Sequence, residues 1–326
     1  MKIKKRRLAV VCATGLIAIA CAGFYIQYFM MRPIGSGPAG PDVADQPFAE
    51  TWSNRPVILV GLGDSITAGL GADSPDRTFF QRMVENPSDE FPDMRGKSLS
   101  IVLPNLTAKN LAISGSTSRE HLHVIEDRMP THDAEVFGLV VMTSGGNDLI
   151  HSYGQRPPKE CAMYGATLAE AEPWIASFRE RLGTMLDKIT ASFPGGCEIY
   201  LADIYDPTDG VGDAPSVYLP HWPDALAIHG RYNEVIRQCI AARENVYLVP
   251  LHETFLGHGS HATQFWRSTY VADDPHYWFY ENIEDPNDRG YDAIRRVFLN
   301  EIIAHSSLVG ANKADAELAS PSSPDP

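Results

Sequence analysis

The feature that most constrains the fold is a recurring unit, a short, continuously apolar, β-branched run followed by a longer stretch. "VILVGLG" (57–63) is the first such run, and "FGLVVMTS" (137–144), "EIYLADIY" (198–205) and "NVYLVPL" (245–251) repeat it. "AKNLAIS" (108–114) reads as another, preceded by the edge-like "LSIVL" (99–103). Runs without a polar alternation belong to strands covered on both faces, as in parallel sheets. Between the last three runs, and after them, lie amphipathic helices. In 174–193, Trp174, Phe178, Leu182, Met185, Ile189 and Phe193 share a face, with Pro173 at the start and Gly195 past the end. Leu226 to Ile240 is similar. Residues 287–304 place Tyr291, Ile294, Val297, Phe298 and Ile302 on one stripe. This alternation predicts a three-layer α/β/α fold around a parallel five-stranded sheet, with right-handed crossovers. Ligands in such sheets bind beyond the carboxyl ends of the strands.

The termini differ from this core. "MKIKKRR" is a basic cap on "LAVVCATGLIAIACAGFYIQYFMM" (8–31), in which Gln27 is the only strongly polar residue. As a helix these 24 residues would reach ~36 Å, enough to cross a ~30 Å hydrocarbon layer. The basic cap should stay cytoplasmic and send the rest outside. A cleaved signal with Ala20-Cys21-Ala22 as its site, or lipidation at Cys21, are the alternatives. All three export the remainder. Residues 1–31 therefore read as membrane anchor or signal segment, 32–54 as a Gly/Pro-rich linker, 55–305 as the folded domain and 306–326 as a disordered tail. "GQRPPKECAMYGATLAEAEP" (154–173) looks like an insertion. Net charge is −14, and without its first 31 residues the chain holds 22 basic residues against 41 acidic. That balance, with no basic stripe, argues against nucleic acid as a partner. Cys161, Cys197 and Cys239 fit either one disulfide with a thiol left over or three buried thiols. Oligomeric state is not readable.

The chemistry lies where strands end. "GLGDSITAGLGA" (61–72) lacks the third glycine of a dinucleotide fingerprint, where Ile66 stands, and the lysine of a P-loop. It fits a nucleophilic Ser65 on a tight turn opening a helix, whose free N–H groups favour negative charge. "NLAISGSTSREHL" (110–122) offers Gly115, and "VVMTSGGNDLI" (140–150) offers the neutral amide of Asn147. Each alone is an ordinary turn residue. Together they put Ser, Gly and Asn after three successive parallel strands.

The set Gly63-Asp64-Ser65, Gly115 and Gly145-Gly146-Asn147-Asp148 resembles the GDSL, or SGNH, hydrolase family across most of residues 55–305. The resemblance implies a flavodoxin-like sheet and ester hydrolysis through an acyl-serine, with Ser65 as nucleophile. The N–H groups of Ser65 and Gly115 and the Asn147 side chain would form the oxyanion hole, and no metal or organic cofactor is implied. The substrate class is open between an acetylated carbohydrate and a lipid. A non-catalytic surface protein of the same fold, binding carbohydrate or lipid, is the other reading.

The family's closing Asp-x-x-His block is altered here. "PNDRGY" (286–291) matches the family's segment after that block, but Asp285 stands at the histidine position and Asn282 at the aspartate position. Asp285 reads as the N-cap of the last helix, with Pro286 at its first position. Asp273-Asp274-Pro275-His276 restores the Asp-x-x-His spacing a short way upstream. This makes His276 the expected base and Asp273 the carboxylate that holds its ring. His258 and His261 in "GHGSH" (257–261) compete, and His252 and His305 fit less well. Asp203, Asp206, Asp209 and Asp213 read as a solvated turn rather than a Ca²⁺ loop. "YWFY" (277–280), Trp266 and Trp222 are candidates for packing or for substrate contact.

Overall fold

The computed structural model describes residues 2–311. Five strands form one all-parallel sheet in the order β2-β1-β3-β4-β5. They are β1 (Val57–Leu62), β2 (Leu106–Asn110), β3 (Phe137–Met142), β4 (Cys197–Ala202) and β5 (Val246–Val249). The helices are, in chain order, α1 (Lys2–Tyr25), α2 (Ser65–Ala68), α3 (Phe79–Val84), α4 (Leu99–Val102), α5 (Ser118–Arg128), α6 (Gly146–Ile150), α7 (Leu168–Ala191), α8 (Ala225–Ala241), α9 (Leu251–Phe255) and α10 (Asp288–His305).

Side chains alternate between two cores, as the two-residue period of a strand requires. Leu59, Leu139, Val141 and Tyr200 face a core completed by α3, α9 and α10. Val60, Val140, Met142, Ile199 and Leu201 face the opposite one, completed by α5, α7 and α8. Each such fully buried aliphatic side chain contributes about 1.5–3 kcal/mol, so the three-layer arrangement follows from these runs.

Four local expectations change. "LSIVL" is the short helix α4 and not an edge strand. Leu99 and Val102, three apart, both face the core while Ile101 is exposed, and Pro104 stops the turn. The second strand begins two residues earlier than its apolar run and is mostly exposed, as an edge strand can be. Its pairing still runs on, since Leu111 and Ile113 donate N–H groups to Gly61 and Gly63 (2.8 and 3.0 Å). The helix expected over 174–193 starts instead at Leu168. A capping box between Thr167 and Glu170 opens it, and Pro173 lies inside. Finally, Asn287 caps α10, accepting from Arg289 and Gly290 N–H (both 3.0 Å), and Asp285 does not.

Residues 32–54, expected as a linker, run as a strap packed along the domain. Ala39, Val43, Phe48 and Trp52 are buried in the α10-side core. Ala39 N–H donates to Asp292 Oδ2 (3.0 Å), and Asn300 Nδ2 donates to the Asp42 carbonyl (3.0 Å). Asp292 is itself buried and also accepts from Arg295 and Arg296. At the far end, Ser307 N–H and hydroxyl donate to Glu198 (both 2.7 Å) and Leu308 is buried. The expected disordered tail is thus packed at its start; residues 312–326 lie outside the described residues. Cys161, Cys197 and Cys239 are buried free thiols.

A strap that belongs to the fold should be sensitive where it touches α10. A β-carbon at Gly40, which has φ +88, would lie 2.7 Å from Ala293 Cα. Gly40→Val should therefore lower the unfolding free energy by ~2 kcal/mol or more, read from the denaturant midpoint. An unchanged midpoint would return residues 32–54 to the status of a tether.

Candidate active site

The site is assembled where β1, β2 and β3 end. Past β1, Gly63 takes φ +133, and a β-carbon there would overlap both the carbonyl and Oγ1 of Thr143, just past β3. Only glycine lets these two strand ends approach so closely. Asp64 follows as N-cap of α2, accepting from Ile66 N–H (3.1 Å) and from Thr143 Oγ1 (2.9 Å). Burial pushes the Asp64 carboxyl up to about 6 against these two hydrogen bonds. Ser65 opens α2 and is buried.

The other two rim loops are locked to this corner. Ser116 Oγ lies between the carbonyls of Ile113 and Gly63 (2.6 and 3.2 Å) and shares its one proton with them. Asn147 Nδ2 donates to the Ser116 carbonyl (3.0 Å), which fixes its amide and leaves a second N–H. Gly115, at φ +78, stands beside it with nothing within 4 Å of where a β-carbon would be. Beneath them, Asp148 accepts from Ser118 N–H and hydroxyl (2.8 and 2.5 Å), tying the loop after β2 to the loop after β3. His121 does the same from below, with Nδ1 2.9 Å from Ser144 Oγ and Nε2 2.9 Å from Ser116 Oγ. Burial pushes this imidazole down to about 4, so near neutral pH it is an uncharged brace. Nothing in the local sequence around His121 marks that role.

The fourth component is Asp285. Freed from capping, it is buried, accepts from Asn282 Nδ2 at Oδ2 (2.6 Å), and donates its own N–H to Asn282 Oδ1 (3.2 Å). Its Oδ1 is buried and has no aligned hydrogen-bond donor among the described residues. Burial raises the Asp285 pKa, and the neighbouring Ser65 hydroxyl and Asn282 amide partly oppose the rise. Glu284, beside it, accepts from Tyr153 OH, and its carbonyl accepts from Tyr205 OH (2.5 Å). Burial pushes the Glu284 carboxyl up to about 7, and the charges of Asp285 and Asp64 add to the shift. Three carboxyls thus converge around one serine.

The structure does not bring His276 to Ser65. Its Nδ1 is 2.5 Å from Asp274 Oδ1, and the ring packs against Gly35 of the strap. The carboxylate on that ring is Asp274, while Asp273 is exposed. The turn at Pro275 explains the substitution: His276 N–H bonds the Asp274 carbonyl (2.8 Å), which brings the residue two positions back onto the ring. Arg289 then claims Asp274 with two hydrogen bonds (3.0 and 2.8 Å). His258 stacks on Trp278 with ring centroids 3.4 Å apart, and His261 Nε2 meets Asp213 (2.8 Å). His252 packs against His229, and His305 against Tyr247. Asp209 accepts from the N–H groups of Gly257, Gly259 and His261, so its oxygens are spent on backbone.

Ser65, Asn147 and Glu284 open onto a cavity of about 160 Å³. Its walls are apolar and include Leu149, Ile150, Ile204, Val217, Leu219 and Trp222. The volume is close to the ~150 Å³ that accepts a benzene ring in an engineered core. Trp222 is accordingly a cavity wall, whereas Trp278 and Phe279 pack in the core and Trp266 meets the end of the N-terminal helix.

Both shifted carboxyls bind protons more tightly folded than unfolded. Glu284 rises from 4.5 to about 7 and Asp64 from 3.8 to about 6, so each subtracts stability as pH climbs through that interval. Glu284→Gln removes the larger of the two. Its Tm should match wild type near pH 4, below the ordinary glutamate range, and exceed it increasingly as pH rises through about 7. A difference that does not grow with pH would mean that Glu284 ionises normally.

Comparison with known proteins agrees with this fold. Residues 62–293 match the model of the GDSL-like lipase/acylhydrolase family. Among solved structures, the lipase Lip_vut3 from a goat rumen metagenome superposes with a TM-score of 0.50 at 16% identity, covering 77% of this chain and 99% of its own. The extracellular lipase of Streptomyces rimosus gives 0.50 at 17% identity, over 77% of this chain and 100% of its own. At such identities these likenesses establish the shared fold. No curated protein is detectably similar in sequence.

Proposed function

Because the chain belongs to the GDSL-like lipase/acylhydrolase family, and is therefore an ester hydrolase, we propose that it works through Ser65 with Asp285 as the base, outside the cell membrane that anchors it. The observation that carries this reading is the buried Asp285 carboxylate beside the Ser65 hydroxyl, with no aligned donor on Oδ1 among the described residues, at the position where the family has histidine.

In this scheme Asp285 takes the proton of Ser65 Oγ as Oγ adds to the ester carbonyl. The N–H groups of Ser65 and Gly115 and the amide of Asn147 receive the developing oxyanion. Asp285 then protonates the departing alcohol. Water, losing its proton to the same carboxylate, releases the acid and restores Ser65. A free aspartate of pKa ~3.9 is a weak base for a hydroxyl, and desolvation narrows the gap by raising it. Asn282 is a positioning residue that fixes the carboxylate through Oδ2. The apolar cavity favours an acyl chain of several carbons over a bare acetyl group, and so a lipid-like ester over an acetylated carbohydrate. Among the described residues one helix, Val11–Met30, is long and apolar enough to cross a membrane, and none of its residues is buried. Together with the basic residues before it, that supports a retained anchor and an exported domain.

The test uses a soluble short-chain ester. Ser65→Ala should abolish turnover and labelling by an organophosphonate. Asn147→Ala should lower turnover by ~10²–10³. Asp285→Asn should cost ~10²–10⁴, while His276→Ala stays near wild type. The wild-type kcat/KM should rise with pH through a limb lying above the ordinary carboxylate range, since the ionised form of Asp285 is the active one. A collapse of activity in His276→Ala, with Asp285→Asn unaffected, would hand the base back to the imidazole. No turnover by the wild type would favour the non-catalytic binder, which the altered fourth block also fits.

A further inference from the structure

The end of the N-terminal helix does not leave the domain freely. Its helical run continues through a π-turn at Ile26–Met30, and the aromatic residues there meet a loop of the domain. Phe24 stacks on Trp266 (centroids 5.5 Å apart), and Tyr28 meets Phe265 and Trp266 edge-on (5.6 and 5.3 Å). Gln264 Nε2 donates to the Tyr28 carbonyl (3.0 Å). Despite these contacts, Phe265 and Trp266 remain 58% and 42% exposed. Two large apolar side chains of a folded domain are thus left open beside the last turn of a membrane-length apolar helix. Aromatic rings at that level of a spanning helix occupy the membrane–water interface.

We propose that Phe265 and Trp266 form a docking platform for the surface of a lipid bilayer, which holds the catalytic domain against the leaflet from which its anchor emerges. The proposal rests on the reading of α1 as a membrane anchor. Two further contacts give it consequence. Arg32, one residue beyond the apolar run, donates from Nη2 to the Ser216 carbonyl (2.9 Å) and lies over the Tyr277 ring at 5.4 Å. Ser216 belongs to the turn whose Val217 and Leu219 line the catalytic cavity, and whose Tyr218 is 87% exposed. One wall of that cavity is therefore pinned to the first residue outside the membrane. An ester residing in the leaflet would meet the cavity without crossing bulk water.

The experiment reconstitutes the full chain into phosphatidylcholine vesicles whose lipids are brominated on the upper acyl carbons. The first 31 residues contain no tryptophan, so quenching reports on the domain. Of the five tryptophans, Trp52, Trp222 and Trp278 are buried. We expect a quenched fraction in the wild type that is lost in Trp266→Leu and retained in Trp174→Phe. Flotation with the vesicles but no quenching, or quenching unchanged in Trp266→Leu, overturns the platform while leaving the anchor intact. Failure to float with the vesicles overturns the anchor and the platform together. Turnover of a soluble short-chain ester, which Trp266→Leu should leave unchanged, reports separately on the hydrolase reading.

Discussion

The close approach of Gly63 to Thr143 is the constraint on which the site depends. With no side chain at residue 63, β1 and β3 end against each other, and Asp64 reaches across to Thr143. That contact sets where α2 begins and so where Ser65 stands. The remaining rim is fastened to the same corner by Ser116 on the Gly63 carbonyl, Asn147 on the Ser116 carbonyl and Asp148 on Ser118. Groups fixed in this way need little reorganisation when negative charge develops among them, which is the chief physical requirement of an oxyanion site.

An acid in the place of an imidazole changes the electrostatics of such a site. A histidine base gains a positive charge when it takes the serine proton, and a neighbouring carboxylate steadies it. In the role proposed for it, Asp285 would instead begin charged and become neutral. Its surroundings hold two other carboxyls, Asp64 and Glu284, and both are raised toward neutrality. Burial favours the neutral form in each, and repulsion from Asp285 adds to the shift of Asp64 and Glu284. Tyr153, donating to Glu284, is part of the same cluster.

The strands and the three rim blocks were legible because both are local. A continuous apolar run specifies a covered strand, and a turn glycine specifies its own backbone. Where residues 276 and 285 come to lie was not legible from spacing alone. Asp-x-x-His at 273–276 has the right separation, but position is decided by how the next segment folds back, with Phe279 bridged to Pro286 and Tyr280 N–H on the Asp285 carbonyl. That return places residue 285 at the serine and leaves residue 276 against the strap. The helix cap misled in the same place. Asp-Pro is a good start signal, yet Asn287 two residues later satisfies two N–H groups and also donates to the carbonyls of Tyr277 and Phe279. The strap was hidden by its glycines and prolines. Its signal was the four- to five-residue spacing of Ala39, Val43, Phe48 and Trp52, all of which prove buried.

The strap also carries a consequence for how the chain reaches its native state. Ala39 pairs with Asp292 across 253 positions, and Asp42 with Asn300 across 258. A ribosome delivers residue 39 long before residue 292, so the earliest part of the domain has no partner until the last helix has been made. Contacts of such long range are slow to form and leave apolar surface uncovered in the interval. Closure of the molecule therefore waits on the last helix, and the apolar side chains of the strap stay uncovered until that helix exists.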